Sequence, residues 1–366
     1  MTGPKPKSWI TAITPYAPGR SQSGSAGPTI KLSSNENPLG TSGQAETALA
    51  EARGSLARYP DPGSTALRTA LADINGIEVD RIICGTGSDE ILHLAAGAYA
   101  SVGDEVLYVR YGFMVYPLSA QRVGATPVEA DDADYATDVD ALIAGITPAT
   151  RVIFLANPNN PTGTYTAMAD IARLHDAMPD TCLLVIDQAY AEYLDPEEAR
   201  LPLELARNAD NILVTRTFSK IYGLAAERVG WAYGPAPVID ALNRIRAPFN
   251  VTTAGQAAAL AALADQDFVE QSRSHNRQWR AWLAERVAAM GNAGLRAIPS
   301  EANFLLVLFD GALTAQAAYE GLMERGYITR WLPGQGLPHG VRITIGTEEE
   351  TRGVAAALEE LVAATL

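Results

Sequence analysis

The segment TRTFSKIYGLAAERVGW, residues 215–231, places a lysine directly after a serine at the end of a short apolar run. Arg228 follows Lys220 eight residues later, and the glycines at 223 and 230 leave room around the backbone. A neutral lysine can form a Schiff base with an aldehyde cofactor. A nearby serine and arginine can hold that cofactor's phosphate, because a guanidinium binds phosphate through two hydrogen bonds. Ser-Lys pairs also occur in ordinary surface loops, so the rest of the chain must supply the other parts of such a site.

Composition limits the classes of protein to which the chain can belong. Its 366 residues are 47% apolar and 19% charged, which is typical of a soluble globular protein with two domains. No run approaches the ~18 apolar residues of a membrane span, and the N-terminus does not resemble a secretion signal. The net charge of −14 argues against nucleic acid as a partner. An acidic protein that binds a phosphorylated ligand must therefore do so with a few well-placed arginines.

Cysteine and histidine usage predicts a cytoplasmic protein without a metal centre. Cys84 and Cys182 stand alone inside apolar runs, so we expect reduced core residues rather than a disulfide or a metal pair. The four histidines are scattered and share no metal-ligand spacing. His339 follows a glycine-rich loop near Arg330, which makes it a candidate for the wall of a pocket.

A regular alternation of strands and helices runs from residue 81 to about 233. The predicted strands are Arg81–Cys84, Glu105–Val109, Arg151–Ala156, Thr181–Asp187, Asn211–Thr215 and Val229–Tyr233. Amphipathic helices such as Asp89–Ala100 and Ala167–Ala177 lie between most of them. This pattern predicts an α/β fold with a mostly parallel central sheet covered by helices on both faces. Ligands of such sheets bind beyond the carboxyl ends of the strands.

The pattern changes after about residue 250, which predicts a smaller α+β domain. Helices are expected at Thr253–Ala264, about 267–290 and about 348–363, and strands at Phe304–Phe309 and Val341–Ile345. The predicted organisation is an N-terminal arm (1–43), a large domain (44–250) and a small C-terminal domain (251–366). The arm is rich in Pro, Gly and Ser, and we expect it to join the small domain or a dimer interface.

GTGSDE, residues 85–90, follows the first predicted strand and opens a helix. The free N–H groups of a helix N-terminus bind anions, and the small residues let a phosphate approach. The segment is not a dinucleotide-binding fingerprint, because Glu90 stands where GxGxxG requires glycine. An ordinary N-cap by Ser88 or Asp89 explains the pattern equally well.

Two further motifs end predicted strands. ANPNNPTG (156–163) holds three asparagines in a fixed turn, and an asparagine amide there can donate to a ring oxygen of a cofactor. DQAYAEY (187–193) places Asp187 at the end of a buried strand, where it needs a cationic partner such as a protonated pyridine nitrogen. Tyr190 is spaced to contact the ring's phenolic oxygen. Taken singly, the alternatives are a polar turn and a helix-starting aspartate with packed tyrosines.

The conjunction of these motifs at successive strand ends resembles the fold-type I pyridoxal-phosphate aminotransferases. The closest match is the histidinol-phosphate aminotransferase family, one of the class II aminotransferases. The resemblance covers almost the whole chain, from PYAPG (15–19) and KLSSNENPLG (31–40) through RYPD (58–61) to VRITIGT (341–347). It implies pyridoxal 5′-phosphate as cofactor, transfer of an amino group, and a homodimer with shared active sites.

The resemblance also implies roles for matching residues around the cofactor. Lys220 would carry the covalent link and move the proton, and Asp187 would pair with the pyridine nitrogen. Tyr190 and Asn157 would contact the phenolic oxygen. The residues implied at the cofactor phosphate are Ser88 and Asp89 through their backbone amides, Ser219, Arg228 and, from the neighbouring subunit, Tyr59.

Four residues are implied at the substrate. Arg342 would bind the α-carboxylate, and Arg330 matches the position that grips the substrate phosphate in this family. A surface salt bridge is the alternative for Arg330. Asn37 and Tyr16 would line the substrate pocket from the arm.

The chain departs from the common family pattern in two places. Gln188 stands where most members have glutamate, and we expect little effect because that position does not contact the ring. In YGFMVY (111–116), counting back from Tyr116 puts Phe113 at the position that stacks on the pyridine ring, with Tyr111 as the competitor.

The expected reaction is amino transfer between L-histidinol phosphate and 2-oxoglutarate in histidine biosynthesis. An aromatic or dual-specificity aminotransferase is the first alternative, and a threonine-phosphate decarboxylase is the second. A non-enzymatic regulator would need a DNA-binding helix-turn-helix, and residues 1–43 are short, rich in Pro and Gly, and not helical.

Overall fold

A computed structural model of the chain describes residues 3–15, 29–55 and 57–365. The strands are β1 (Ile30–Lys31), β2 (Ile82–Gly85), β3 (Glu105–Val109), β4 (Thr126–Ala130), β5 (Asp132–Ala133), β6 (Ala136–Thr137), β7 (Thr150–Ala156), β8 (Leu183–Asp187), β9 (Ile212–Thr217), β10 (Gly230–Tyr233), β11 (Leu295–Ala297), β12 (Phe304–Phe309), β13 (Tyr327–Ile328), β14 (Arg330–Leu332) and β15 (Leu337–Thr344).

The α-helices are α1 (Ser8–Thr11), α2 (Gly43–Ala52), α3 (Thr65–Asn75), α4 (Gly87–Tyr99), α5 (Val115–Val123), α6 (Val139–Ala144), α7 (Met168–Ala177), α8 (Pro196–Arg207), α9 (Ala236–Ile245), α10 (Thr253–Ala264), α11 (Gln266–Ala289), α12 (Ala315–Glu324) and α13 (Glu348–Ala363). Within the described ranges, no helix combines the length and apolar character that crossing a membrane requires.

The central sheet has seven strands in the order β2-β10-β9-β8-β7-β3-β4. Strands β9, β8, β7, β3 and β4 are mutually parallel, whereas β10 runs antiparallel to both of its neighbours. The prediction of a mostly parallel α/β sheet is therefore confirmed. The antiparallel direction of β10 was not predicted, because a strand's own sequence does not specify the direction of its neighbours.

Helices cover both faces of this sheet, which explains why its strands are apolar almost throughout. In β7, Val152 and Phe154 pack into one hydrophobic cluster, whereas Ile153 and Leu155 pack into another on the opposite face. All four side chains are buried. Because successive side chains of a strand point to opposite faces, a sheet buried on both sides needs continuous apolar runs rather than alternation.

The second large sheet is antiparallel, in the order β11-β12-β15-β14. Residues of α11, α12 and α13 pack on it in a separate hydrophobic cluster. The short β1 pairs in parallel with β13, so this part of the arm lies beside the second sheet. The domain limits 44–250 and 251–366 remain a proposal: each large sheet lies within one of these ranges, but α10 packs into the hydrophobic cluster of the central sheet.

One strand of the central sheet, β4, is missing from the predicted set because its sequence, TPVEA, contains proline and few apolar residues. It lies at the edge of the sheet, where a strand needs hydrogen bonds on one side only and tolerates Pro127. Helix α8 also lacks an obvious helical signal, since Pro202 lies inside it. In both cases tertiary packing outweighs the local preference.

Gly223 joins the turn after Lys220 to the arm. Its φ is +69°, and a Cβ there would lie 1.9 Å from the carbonyl oxygen of Gly40. We expect Gly223→Ala to lower the free energy of unfolding by about 2–4 kcal/mol, from backbone strain and overpacking together. Chemical denaturation measures this change.

Gly103→Ala is the matched control for Gly223→Ala, because Gly103 has a φ of +95° and a Cβ added to it would have no other atom within 4 Å. Strain without a clash predicts a loss of only about 1 kcal/mol. Equal losses in the two variants would contradict a steric role for Gly223.

Candidate active site

A cavity of about 200 Å³ lies beyond the carboxyl ends of the central strands, with walls from both large sheets and from the arm. Most of the residues singled out in the sequence line it. They are Ser88, Asp89, Phe113, Asp187, Tyr190, Ser219, Lys220, Arg228, Arg330 and Arg342. They come together because the register of the central sheet aligns their strand ends: Ala156 pairs with Asp187, and Asp187 pairs with Thr215.

One end of the cavity is the N-terminus of α4, which two glycines keep open. Gly87 has a φ of +77°, and a Cβ on Gly230 would lie 2.3 Å from the backbone nitrogen of Ser88. Only a residue without a side chain lets β10 pass this close behind the helix N-terminus. The backbone N–H groups of the first turn of α4 have no partners within the helix and suit an anion.

Arg228 lies beside the N-terminus of α4. Residues 87–89, Ser219 and Arg228 are together called the phosphate cup, after the phosphate that they could hold. Arg228 Nη1 donates to Ser219 Oγ at 3.0 Å, and its Nη2 lies 3.6 Å from the Asp89 carboxylate. A Cβ on Gly87 would lie 2.4 Å from that Nη2. The guanidinium, the serine hydroxyl and the helix amides together could hold a phosphate.

Asp187 lies at the other side of the cavity floor and is almost completely buried. Its Oδ2 accepts a hydrogen bond from the Tyr116 hydroxyl at 3.0 Å, and its Oδ1 accepts one from Thr215 Oγ1 at 3.1 Å. Burial raises the pKa of this carboxyl to about 6, whereas the two hydroxyl donors act in the opposite direction. Neither donor was predicted, because the quoted segments that contain Tyr116 and Thr215 do not show that their hydroxyls bond Asp187.

Lys220 faces the cavity, where its Nζ donates to the carbonyl oxygen of Ser34 at 3.2 Å. Burial lowers the pKa of this lysine to about 8, and the charge of Arg342 acts in the same direction. At neutral pH the neutral fraction of Lys220 is therefore larger than that of an exposed lysine. A neutral amine is the form that attacks an aldehyde carbon.

Tyr190 contacts the arm through Asn35, whose Nδ2 donates to the Tyr190 hydroxyl oxygen at 2.8 Å. Because that bond uses an acceptor site, the tyrosine's own hydroxyl hydrogen is available to a group in the cavity. Burial raises the pKa of Tyr190 to about 12, so it remains a neutral donor. Thr344 Oγ1 holds Asn35 in place by bonding both its backbone nitrogen and its side-chain oxygen.

Two arginines from the second sheet also line the cavity. Arg330 on β14 pairs directly with Arg342 on β15, so both side chains leave the same face of that sheet. Arg342 Nη1 donates to Asn160 Oδ1 at 2.6 Å, and its Nη2 donates to the Ser33 carbonyl oxygen at 2.7 Å. These bonds fix the guanidinium of Arg342 at the cavity wall and suit it to a carboxylate or phosphate.

The structure corrects the prediction for Asn157. Its side-chain amide donates to the backbone oxygen of Thr166 and accepts from the Thr166 nitrogen, at 2.9 and 2.8 Å. Asn157 is fully buried and does not line the cavity; Asn160, from the same turn, does. The sequence places three asparagines in one turn, and only the folded turn decides which of them faces the ligand.

The prediction for Asn37 is also wrong in this structure. Its Nδ2 donates to the Ile221 carbonyl oxygen at 2.6 Å and to Ser272 Oγ at 2.9 Å. Asn37 is not among the residues that line the cavity. Asn37 instead ties the arm to α11, and Asn35 contributes to the cavity. Tyr16 lies outside the described residues.

Phe113 lines the cavity, whereas Tyr111 stacks on Tyr135 with ring centroids 5.6 Å apart. The geometry thus favours Phe113 for a ring-stacking role. Gly112 between them admits no side chain, since a Cβ would lie 2.9 Å from the Val109 carbonyl oxygen. His339 does not line the cavity, and its Nε2 lies 2.8 Å from the Tyr135 hydroxyl.

Gln188 points away from the cavity and accepts two hydrogen bonds from the buried Arg216, at 3.1 and 3.0 Å. Glu192, 3.9 Å from Arg216, supplies the negative charge that a glutamate at position 188 would otherwise provide. Gln188 does not line the cavity, which supports the expectation that it has little effect on the chemistry.

Several cavity residues are absent from the sequence prediction. They are Ser33, Ser34, Asn35, Met114, Ala156, Pro158, Asn160, Ala189, Thr217 and Gln335. The clustering of polar residues in KLSSNEN and NPNNP marks most of these segments, but not the individual side chains that face the ligand. Gln335 follows no such signal.

The arrangement fits pyridoxal 5′-phosphate. The open cup at α4 matches the phosphate, the buried Asp187 carboxylate matches a protonated pyridine nitrogen, and Lys220 matches the aldehyde. Each match concerns a different functional group, which is why the combination is specific although the separate parts are common.

Comparison with known proteins agrees with this fit. Residues 28–358 match the family described as aminotransferase class I and II. The histidinol-phosphate aminotransferase of Sphingopyxis alaskensis is 61% identical over 98% of this chain and 97% of its own length. That of Zymomonas mobilis is 62% identical, again over 98% of this chain and 97% of its own length.

A solved structure extends the similarity to three dimensions. The histidinol-phosphate aminotransferase from Sinorhizobium meliloti, crystallised in complex with pyridoxal 5′-phosphate, is 30% identical with a TM-score of 0.85, over 92% of each chain. Both the matched length and the identity to the curated relatives lead to one conclusion. The chain belongs to the histidinol-phosphate aminotransferase family of class I and II aminotransferases.

Proposed function

We propose that this protein is a pyridoxal-phosphate-dependent aminotransferase that transfers the amino group of L-histidinol phosphate to 2-oxoglutarate and, in reverse, that of glutamate to imidazole acetol phosphate. The proposal rests on the pairing of two arginines, Arg330 and Arg342, which line the same cavity as the phosphate cup. The cup accounts for the phosphate of the cofactor. The arginine pair is then a second anion site, and it belongs to the substrate.

The two substrates explain why this second site has two cations. Glutamate brings an α-carboxylate with one negative charge, whereas L-histidinol phosphate carries a phosphate ester in that place, with a charge of about −1.5 to −2. Arg342, fixed by Asn160 and Ser33, suits either group. Arg330 supplies the additional positive charge that the phosphate ester requires.

The chain's own residues divide the remaining work. When bound, the cofactor supplies an aldehyde that links to amines and a ring that withdraws electrons. Lys220, with its lowered pKa, provides a neutral amine for that link and a base that moves the substrate's Cα proton. Asp187 would hold a proton at the pyridine nitrogen. Tyr190 would donate to the ring oxygen, and Phe113 would cover the ring face.

The substrate assignment is tested with purified protein and glutamate. We expect efficient transamination of imidazole acetol phosphate. Rapid turnover of phenylpyruvate without activity on imidazole acetol phosphate would move the protein to the aromatic aminotransferases, and activity on both would establish dual specificity. Release of CO₂ from O-phosphothreonine would instead identify a decarboxylase.

Arg330→Gln should lower kcat/KM for L-histidinol phosphate by about a hundredfold, which corresponds to one lost charge-assisted contact of about 2–3 kcal/mol. The kcat/KM of the same variant for L-phenylalanine should fall about tenfold or less, because Arg342 still binds the carboxylate of this substrate. Arg325→Gln is the control, because Arg325 forms a surface pair with Glu360. Equal losses for the two substrates would contradict a phosphate-specific role.

Lys220 gives a pH prediction. Since burial lowers its pKa to about 8, the rate at which the apoprotein takes up pyridoxal 5′-phosphate should rise with pH around 8 rather than 10.5. Stopped-flow absorbance measures this rate. Lys220→Ala should develop no absorbance band of a lysine-linked cofactor and no turnover, whereas Lys31→Ala, a change in the arm, should behave as wild type. Full activity of Lys220→Ala would overturn the mechanism.

We also propose a homodimer with shared active sites. Tyr59, from RYPD, is 82% exposed and stacks on Phe249, with ring centroids 4.6 Å apart. An apolar groove between α2, α3 and α10 includes the exposed Ile74 and the half-buried Leu260. Exposed apolar surface of this kind is typical of a protein interface, and it supports a position for Tyr59 in the partner's phosphate site.

Subunit mixing tests this arrangement. Tyr59→Ala and Lys220→Ala homodimers should each have low activity. A heterodimer of the two has one complete site, formed by Lys220 of one subunit and Tyr59 of the other. Refolding an equal mixture should therefore restore up to about a quarter of wild-type activity. Failure of the mixture to exceed its components, with dimers present by light scattering, would contradict the shared site.

A further inference from the structure

The Tyr116 hydroxyl is the feature of the site that the proposed mechanism has not used. Tyr116 lies on α5, is fully buried and does not line the cavity. Its hydroxyl nevertheless reaches Asp187 Oδ2 at 3.0 Å, while Thr215 Oγ1 bonds the other carboxylate oxygen at 3.1 Å. One neutral hydroxyl donor therefore serves each oxygen of the same carboxylate.

Neighbouring rings fix Tyr116 in position. It stacks on Phe154 with centroids 4.8 Å apart and an interplanar angle of 6°, and it meets Phe113 edge-on at 5.9 Å and 90°. Phe154 lies on β7 in the sheet core, whereas Phe113 lines the cavity. Tyr116 thus links the carboxylate beneath the cofactor site to the ring that covers it.

A proton shared by a carboxylate and a pyridine nitrogen can lie on either atom. In a buried site, low polarity favours the neutral pair, with the proton on the carboxylate. Hydrogen bonds donated to the carboxylate stabilise its charged form and return the proton to the nitrogen. The negative charge of Asp89 also raises the pKa of Asp187. The hydrogen bonds from the two hydroxyl donors lower that pKa and so oppose the effect of Asp89.

We propose that Tyr116 is a positioning residue whose hydroxyl, together with that of Thr215, keeps Asp187 ionised and oriented so that the proton stays on the cofactor's pyridine nitrogen. The inference rests on the proposed function, because it concerns the same cofactor. Tyr116 does not touch that cofactor or the substrate. It acts through Asp187, and its contribution is to the electron-withdrawing strength of the ring.

Tyr116→Phe tests this role because it removes one oxygen and keeps the ring contacts with Phe154 and Phe113. When the cofactor-loaded variant is titrated with base, its visible absorbance should change with a midpoint at a higher pH than that of the wild type. A pyridine nitrogen without its proton withdraws fewer electrons, so the Lys220 nitrogen attached to the cofactor keeps its proton to higher pH. Cofactor Kd should rise about tenfold, and kcat should fall about tenfold with little change in KM.

Two further variants separate this role from general damage to the core. Thr215→Val removes the other donor and should shift the midpoint in the same direction. Tyr108→Phe is the matched control: Tyr108 is also buried and packs against Tyr116, but its hydroxyl donates to Glu129 at 3.2 Å. Its cofactor spectrum and Kd should equal those of the wild type.

The outcomes distinguish the inference from the function on which it rests. A wild-type protein that binds no pyridoxal 5′-phosphate would overturn the proposed function. If the wild type binds the cofactor and Tyr116→Phe keeps the wild-type midpoint and cofactor Kd, only the role of Tyr116 would be overturned. Equal shifts in Tyr116→Phe and Tyr108→Phe would also overturn it, because the effect would then be one of core packing.

Discussion

The alignment of three parallel strand ends is the constraint on which the site depends. Ala156, Asp187 and Thr215 stand side by side at the carboxyl ends of β7, β8 and β9. Each strand then turns into a segment that carries a polar cavity residue. A shift of one residue in any strand would turn its side chains to the opposite face. The apolar runs, buried on both faces, contribute most of the stability that holds this register.

Burial then gives the polar residues their chemistry. Both Asp187 and Lys220 are shifted towards their neutral forms, the first to a pKa of about 6 and the second to about 8. An aspartate that must carry charge needs donors, which Tyr116 and Thr215 provide. A lysine that must be a nucleophile benefits from the same desolvation. The same burial thus opposes the charge that Asp187 needs and favours the neutral form that Lys220 needs. The hydrogen bonds to Asp187 offset the effect of burial on that residue.

The cavity also requires chain segments that are far apart in sequence. Arg342 on β15 donates to Asn160 on the turn after β7 and to the Ser33 carbonyl oxygen in the arm. Asn35, again from the arm, holds the Tyr190 hydroxyl. These contacts link the two large sheets through the walls of the cavity. Binding an anion between Arg330 and Arg342 would therefore act on both sheets at once.

The sequence by itself determined the α/β class, the family and the segments that form the site, because continuous apolar runs and polar strand ends are local patterns. Phosphate-cup residues such as Arg228, and the lysine and aspartate, follow from those patterns. Only the tertiary structure decided between neighbouring candidates: Asn160 rather than Asn157, Asn35 rather than Asn37, and Phe113 rather than Tyr111 at the cavity. Nor does any motif mark Tyr116 or Thr215 as partners of Asp187. The direction of each side chain depends on how its turn packs against distant segments, and that packing is absent from local sequence.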